Sequence, residues 1–252
     1  MSMTAPCRRF VLKGRVALLL ILLSLQARAL EYPWILLSPE NDSRDPEMRD
    51  WDDADSLSMV GVMNQSESLF NHHLVWKKAA IKNLLALDAP FCEMRFDAVH
   101  PGSLSAEEKS ILGEYFKRGG FILFFVDSYP YSQDEFWPVK KWSVIDFLTK
   151  DLPASDPEFT TGRATDDFPI FTAHYRTETP EPTKRELANN PNTPNRIMLF
   201  YRKRLCSFVI GRYSYMEDGA WVPMPRPFPT DFSMDARGFK LVVNIYIYSM
   251  VK

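Results

Sequence analysis

Apolar positions arrive along this chain in short blocks, and the spacing inside each block predicts its element. Pro33–Leu37, PWILL, is a short apolar run and reads as a first strand entering a core. Residues 39–55, PENDSRDPEMRDWDDAD, are acidic and punctuated by proline, and read as a loop. SLSMVGVM at 56–63 reads as another short strand. His72–Leu87 places Leu74, Ala80, Ile81, Leu84 and Leu85 near helical spacing, which predicts a helix. Pro90–Phe96 predicts a strand.

The next unit is the clearest. Ser105-Ala-Glu-Glu108 has the form of a capping box, in which the serine oxygen and the glutamate carboxylate satisfy each other's backbone amides. Ile111, Leu112, Tyr115 and Phe116 share one helical face, and Lys117 and Arg118 sit in the last turn, where cations suit the helix dipole. Gly119 is a natural left-handed stop. Phe121–Val126 follows as six apolar residues without alternation, the signature of a strand covered on both faces in a parallel sheet. A phosphate-binding glycine loop follows a strand and opens a helix. Gly119-Gly120 closes a helix and feeds a strand, so the glycines mark the structural end of the sheet. Any ligand site lies across the strand, about 20 Å away at strand rise, beyond its carboxyl end at Asp127, Ser128 and Tyr129. An aspartate at that point also serves to cap the loop that leads into Pro130, and both readings stay open.

Farther on, Ser143–Lys150 predicts a short helix, and DFPIFTAHY at 167–175 a short segment packed on the core. Residues 176–195 hold four prolines and few apolar groups, and read as a surface insertion. In RIMLFYRKRLCSFVIG (196–211) two apolar runs flank Arg202-Lys203-Arg204, which predicts a β-hairpin. Residues 222–229 are proline-rich and irregular. The closing run, FKLVVNIYIYSMV (239–251), is ambiguous: its β-branched and aromatic content favours a strand, its length a helix.

Composition changes the picture at the amino terminus. Of the 252 residues, the first thirty carry Arg8, Arg9, Lys13 and Arg15, then the uncharged run Val16–Leu25, then Ala27-Arg28-Ala29. That is an export signal with cleavage after Ala29. Ten apolar residues fall short of the roughly 20 that span a bilayer, so no retained transmembrane helix is expected. Cys7-Arg8-Arg9-Phe10-Val11-Leu12-Lys13 resembles the twin-arginine pattern, departing from it at Cys7 and Val11; the general secretory route remains the other reading. Cleavage leaves residues 30–252 as a single medium α/β domain. In it 25 Lys and Arg face 32 Asp and Glu, a net charge of −7. With no basic block after residue 30, a nucleic-acid partner is excluded. Cys92 and Cys206 remain, both among apolar residues, and stand either as a disulfide of an oxidising compartment or as two separate buried thiols.

LSAEEKSILGEYFKRGGFILFFVDSY resembles a segment of an uncharacterised bacterial family, domain of unknown function 4159, with its acid-rich helix start, tyrosine-centred helix end, Arg-Gly-Gly, apolar strand and Asp-Asp. Trp51-Asp52, DDFPIFTAHY, and YRKRLCSFVIGRYSYMEDGAW with GFKLVVNIYIYSM follow the same family in order, over most of 31–252. The resemblance implies a flavodoxin-like, three-layer α/β/α fold similar to class I glutamine amidotransferase domains, with the last segment a helix. It implies export or envelope linkage and an envelope protein partner, of the von Willebrand-type or MoxR-associated kind. The chain departs from the family at Ser128, where the second aspartate stands, and at Phe168, where a histidine is usual.

The side chains that carry chemistry form no complete constellation. An amidotransferase nucleophile needs a cysteine on a tight glycine-framed turn with a histidine base; neither Cys92 nor Cys206 has that frame, and no Gly-x-Ser-x-Gly occurs. His72, His73, His100 and His174 lack metal-ligand spacing, so no metal or other cofactor is expected. His174 stands out because it follows an apolar segment after Asp166-Asp167. Asp50, Asp52, Asp53 and Asp55 lack the glycine and distal glutamate of a calcium loop and read as a solvated cluster. The candidate ligand-binding residues are therefore Asp127, Ser128, Tyr129, Asp52 and His174. They belong to a non-catalytic envelope module that binds a partner or ligand, or to a hydrolase or metal-dependent enzyme using Asp127 with carboxylates from the 50–55 and 166–167 loops.

Overall fold

A computed structural model describes residues 30–40, 46–65, 72–87, 89–97, 104–128, 143–165, 167–177, 196–217, 220–223 and 236–251. The signal residues Arg8, Arg9, Ala27 and Ala29 lie outside them, as do Tyr129, His100 and nearly all of the 176–195 insertion. The strands are β1 (Leu30–Ser38), β2 (His72–Ala80), β3 (Phe91–Asp97), β4 (Phe121–Ser128), β5 (Phe159–Arg163), β6 (Ile197–Tyr201), β7 (Arg204–Glu217) and β8 (Ala220–Pro223). They form one sheet in the order β2-β1-β3-β4-β7-β6-β5, with β8 on the far part of β7. From β2 to β7 every neighbour is parallel; β5, β6 and β8 pair antiparallel. The parallel strands, taken in chain order, have the flavodoxin-like arrangement 2-1-3-4-5, with β7 in fifth place. The fold is α/β with a mostly parallel sheet between helical layers.

β4 shows why the parallel core reads as an unbroken apolar run. Phe121, Ile122, Leu123, Phe124 and Phe125 are all buried, because both faces of the strand are covered. Alternate residues feed two cores. Cys92, Met94, Phe96, Ile122 and Phe124 pack with helix α2 (Ala106–Lys117) and with α3. α3 runs through Ser143–Asp146, a π turn Phe147–Asp151 and Leu152–Ser155. Trp34, Phe91, Phe121, Leu123 and Phe125 pack on the other face with helix α1 (Pro46–Gln65) and helix α4 (Ala236–Met250).

Two elements differ from the sequence expectation. The predicted loop at 39–55 and strand at 56–63 are mostly one helix, α1. Ser56, Met59, Val60 and Met63 are its buried positions, spaced i, i+3, i+4 and i+7, a helical face obscured by the short apolar run. The helix predicted over His72–Leu87 is instead β2 followed by a 3₁₀ turn, Ile81–Ala86. β2 pairs with β1 over nine positions, Leu30↔His72 to Ser38↔Ala80. The apparent helical spacing joined Leu74 of the strand to Ile81 and Leu84 of the turn. The last segment is a helix, α4, as the family resemblance implies. Val242, Val243, Ile245 and Tyr246 are buried in it, and tertiary packing overrides β-branched propensity.

The boundaries of α2 show the local chemistry. Glu108 N donates to Ser105 Oγ at 3.2 Å and Ser105 N to Glu108 Oε2 at 2.8 Å, the predicted capping box. Gly119 ends the helix at φ +107°. The Tyr115 ring lies over Gly120 so closely that a Cβ there would meet it at 2.2 Å. The phenol donates to Ala89 O at 2.9 Å. This explains Tyr-x-x-x-Gly-Gly: the first glycine turns the chain, and the second leaves room for the ring. Arg204, at the start of β7, closes the same end, donating to Gly119 O at 2.9 Å and also to Phe116 O. Arg202 and Lys203, at φ 49° and 69°, make the two-residue turn of the predicted hairpin.

Candidate functional site

In a doubly wound sheet, loops that leave neighbouring strands in opposite directions open a crevice at the carboxyl ends, here between β1 and β3. β1 ends at Ser38 and β3 at Asp97. The row at this edge is set by register: Asp97 is paired with Asp127, and Asp127 with Arg212. Adjacent strands lie about 4.8 Å apart, so two acids and an arginine stand side by side on β3, β4 and β7. Of the sequence candidates, Asp127 and Ser128 occupy the last two positions of β4, with Ser128 beside Tyr213 of β7. Asp97 and Arg212 join Asp127 only through strand order, which no sequence spacing reveals.

One and two steps further into β3 stand Arg95 and Glu93, at alternate positions on one face. Both are buried, and Arg95 Nε donates to Glu93 Oε1. Glu93 Oε2 accepts from the Trp34 indole at 2.7 Å and from Ser56 Oγ at 2.8 Å. Ser56 in turn accepts from the Trp76 indole at 3.0 Å. The Arg95 guanidinium lies 5.1 Å from the centre of the Phe125 ring. A hydrogen-bonded ladder therefore crosses β2, β1 and β3 under α1, and ends with Arg95 over the Phe125 ring of β4. Burying a carboxylate and a guanidinium is costly unless each is paired and hydrogen-bonded, and this set meets that condition for Glu93. The sequence carried one signal of it: two opposite charges at i and i+2 in the otherwise apolar FCEMRF.

Beside the crevice, Glu108 also accepts from Glu40 N at 2.7 Å, tying the exit of β1 to the start of α2. Glu40 pairs with Lys82 at 2.8 Å on the surface. That hydrogen bond and charge hold the carboxyl below its ordinary range and the ammonium above its own.

The remaining candidates are dispersed. Asp52 lies in α1, so the acids at 50–55 belong to a helix and not to a loop, and neighbouring Asp53 pairs with Lys78 at 2.8 Å. His174 is exposed, with its ring edge-on to Tyr175 at 4.5 Å. Its backbone is held by Asn244 of α4: Asn244 Oδ1 accepts from the amides of His174 at 3.0 Å and Tyr175 at 2.8 Å. His73 is exposed on β2. Among the described residues no group of three or more His, Cys, Asp or Glu is placed to hold a metal ion, and no helix is long and apolar enough to cross a membrane.

Cys92 on β3 and Cys206 on β7 are free and buried. β4 lies between their strands, a separation of about 9.6 Å at the usual strand spacing. A disulfide needs Cα atoms within about 7 Å, so the two cysteines are separate buried thiols and not the disulfide. Burial pushes the Cys92 thiol up to about 12, and Cys206 up to about 11.

No family model matches this chain, and no curated protein matches it.

Proposed function

We propose that this is an exported, non-catalytic envelope module that binds a partner protein or a ligand, with a ligand site at the carboxyl edge around Asp127. One observation removes thiolate chemistry and so supports the non-catalytic reading. The fold type resembles that of the amidotransferases, whose chemistry needs a thiolate, whereas here both thiols are buried inside strands and pushed up to about 12 and 11. Such cysteines are inert at neutral pH. The resemblance to domain of unknown function 4159 supports envelope linkage, and the basic, apolar and Ala-x-Ala segments ending at Ala29 support export.

A second reading rests on a separate observation. Asp97 stands in register beside Asp127, so two aspartates occupy neighbouring strand positions at this edge despite Ser128, residue types that a hydrolase or metal-dependent enzyme would use. Affinity purification of the mature chain from its own host, combined with metal analysis, separates the two. The module reading expects a stable partner, retained by Asp127→Asn, and no stoichiometric metal. Bound metal that Asp127→Asn abolishes supports the enzyme. A chain that comes down alone at every salt concentration overturns the module.

A further inference from the structure

We propose that the turn His174–Arg176, with Lys240 beside it, is a docking face for an acidic segment of a partner protein; this rests on the module reading above. The turn is pinned by buried chemistry. Asn244 is fully buried in α4. Besides accepting from the amides of His174 and Tyr175, it donates from Nδ2 to Tyr175 O at 2.7 Å. Three of its four hydrogen-bonding positions are thus given to one surface turn. The other end is closed by Thr177, whose amide and hydroxyl both donate to Phe171 O at 2.9 Å. Phe171 itself is buried against Phe208.

What this frame displays is basic and aromatic. His174 and Arg176 are exposed. Lys240 Nζ lies 5.7 Å from the centre of the Tyr175 ring. None of the three basic groups is paired with a carboxylate among the described residues. Elsewhere Lys78, Lys82, Lys109, Lys117, Arg118, Lys150 and Arg202 each have an acidic neighbour within salt-bridge distance, while Lys77 and Lys203 are exposed without one among the described residues but stand on β2 and in the β6–β7 turn, away from this aromatic frame. On a chain of net negative charge, the turn is a local patch of opposite sign.

Tyrosine and arginine are the residue types that dominate binding energy at protein interfaces, and a turn already ordered loses little freedom on binding. The charge selects an anion. Three basic groups on an acidic protein are too few to track a nucleic-acid backbone, which leaves a short acidic protein segment as the occupant.

The test is a titration of the mature chain with acetylated, amidated hexa-glutamate, followed by NMR. Saturable shifts at His174, Tyr175, Arg176 and Lys240 are expected, weakening as salt rises. Arg176→Glu with Lys240→Glu lowers the affinity at least tenfold. Lys77→Glu, an exposed charge reversal on β2, leaves it within twofold. Asn244→Ala speeds amide exchange at His174 and Tyr175 and weakens binding with both cations present. No saturation, shifts clustered elsewhere, or an equal loss from Lys77→Glu overturns the assignment. In the host, a wild-type chain that holds a partner equally well as the Arg176→Glu, Lys240→Glu variant overturns the docking face and leaves the module reading standing. A wild-type chain without any partner overturns the module reading itself.

Discussion

At the scale of single residues, Glu93 and Gly120 show two ways a position becomes irreplaceable. Glu93 accepts from Arg95, Trp34 and Ser56 in a fully buried setting. Glu93→Gln keeps the shape but removes the charge opposite the buried guanidinium. Breaking one side of such a pair costs about 3–5 kcal/mol, so the urea midpoint of this variant falls by that equivalent while Lys82→Gln, at an exposed pair, changes it little. Gly120 is fixed by volume, since a Cβ would overlap the Tyr115 ring. Gly120→Ala should cost about 1–3 kcal/mol through overpacking. The cost shrinks in a Tyr115→Leu background, a non-additivity that a double-mutant cycle in chemical denaturation measures.

Elements carry a different constraint, the fit between turn chemistry and strand twist. The β6–β7 hairpin places two cationic, non-glycine residues at positive φ, Arg202 and Lys203. The first is occupied in an ion pair of 3.5 Å with Glu158, which is exposed and contributes little. Replacing the pair by Asn-Gly, the residues this turn prefers, relieves about 1–2 kcal/mol of left-handed strain. Thermal unfolding should shift upward by a few degrees. The same element shows how far a terminus depends on its neighbours. Arg204 donates to carbonyls at the end of α2, from 85 residues away in sequence. Arg204→Met should therefore raise amide exchange in the last turn of α2 before it affects the hairpin.

For the whole molecule, the buried thiols make stability depend on pH in the alkaline range. An ordinary thiol near 9.0 loses its proton in the unfolded chain, while Cys92 in the fold holds its own up to about 12. The unfolded state therefore binds fewer protons than the folded one between these values, and stability falls as pH rises. The stabilisation is complete below pH 9 and is lost progressively from about 9 to 12, by about 1.4 kcal/mol per pH unit for this group. Urea titrations at pH 8, 10 and 11 check the slope, and Cys92→Ala should flatten it. Native thiols should also resist iodoacetamide at pH 8 and react once denatured.

Much of the sheet was legible because its parallel strands are covered on both faces, and β1 and β4 show that directly in PWILL and FILFFV, while β3 keeps it on the face that carries Cys92, Met94 and Phe96. The α2 unit was legible from caps that act within a few residues, Ser105 with Glu108 and the Gly119 stop. α1 and β2 differ from the sequence expectation because their apolar residues carry both periods weakly, and pairing with β1 and packing over Met59 and Met63 decide between them. The candidate site divides along the same line. Asp127 was placed by local logic, as the residue just past an apolar run. Asp97 and Arg212 became its neighbours only through strand order, and the Asn244 hold on His174 only through helix packing 70 residues away. Sequence determined what short-range hydrogen bonds and one strand's burial dictate. Tertiary structure decided which distant polar groups meet, because strand order and helix docking set those distances and the linear pattern does not record them.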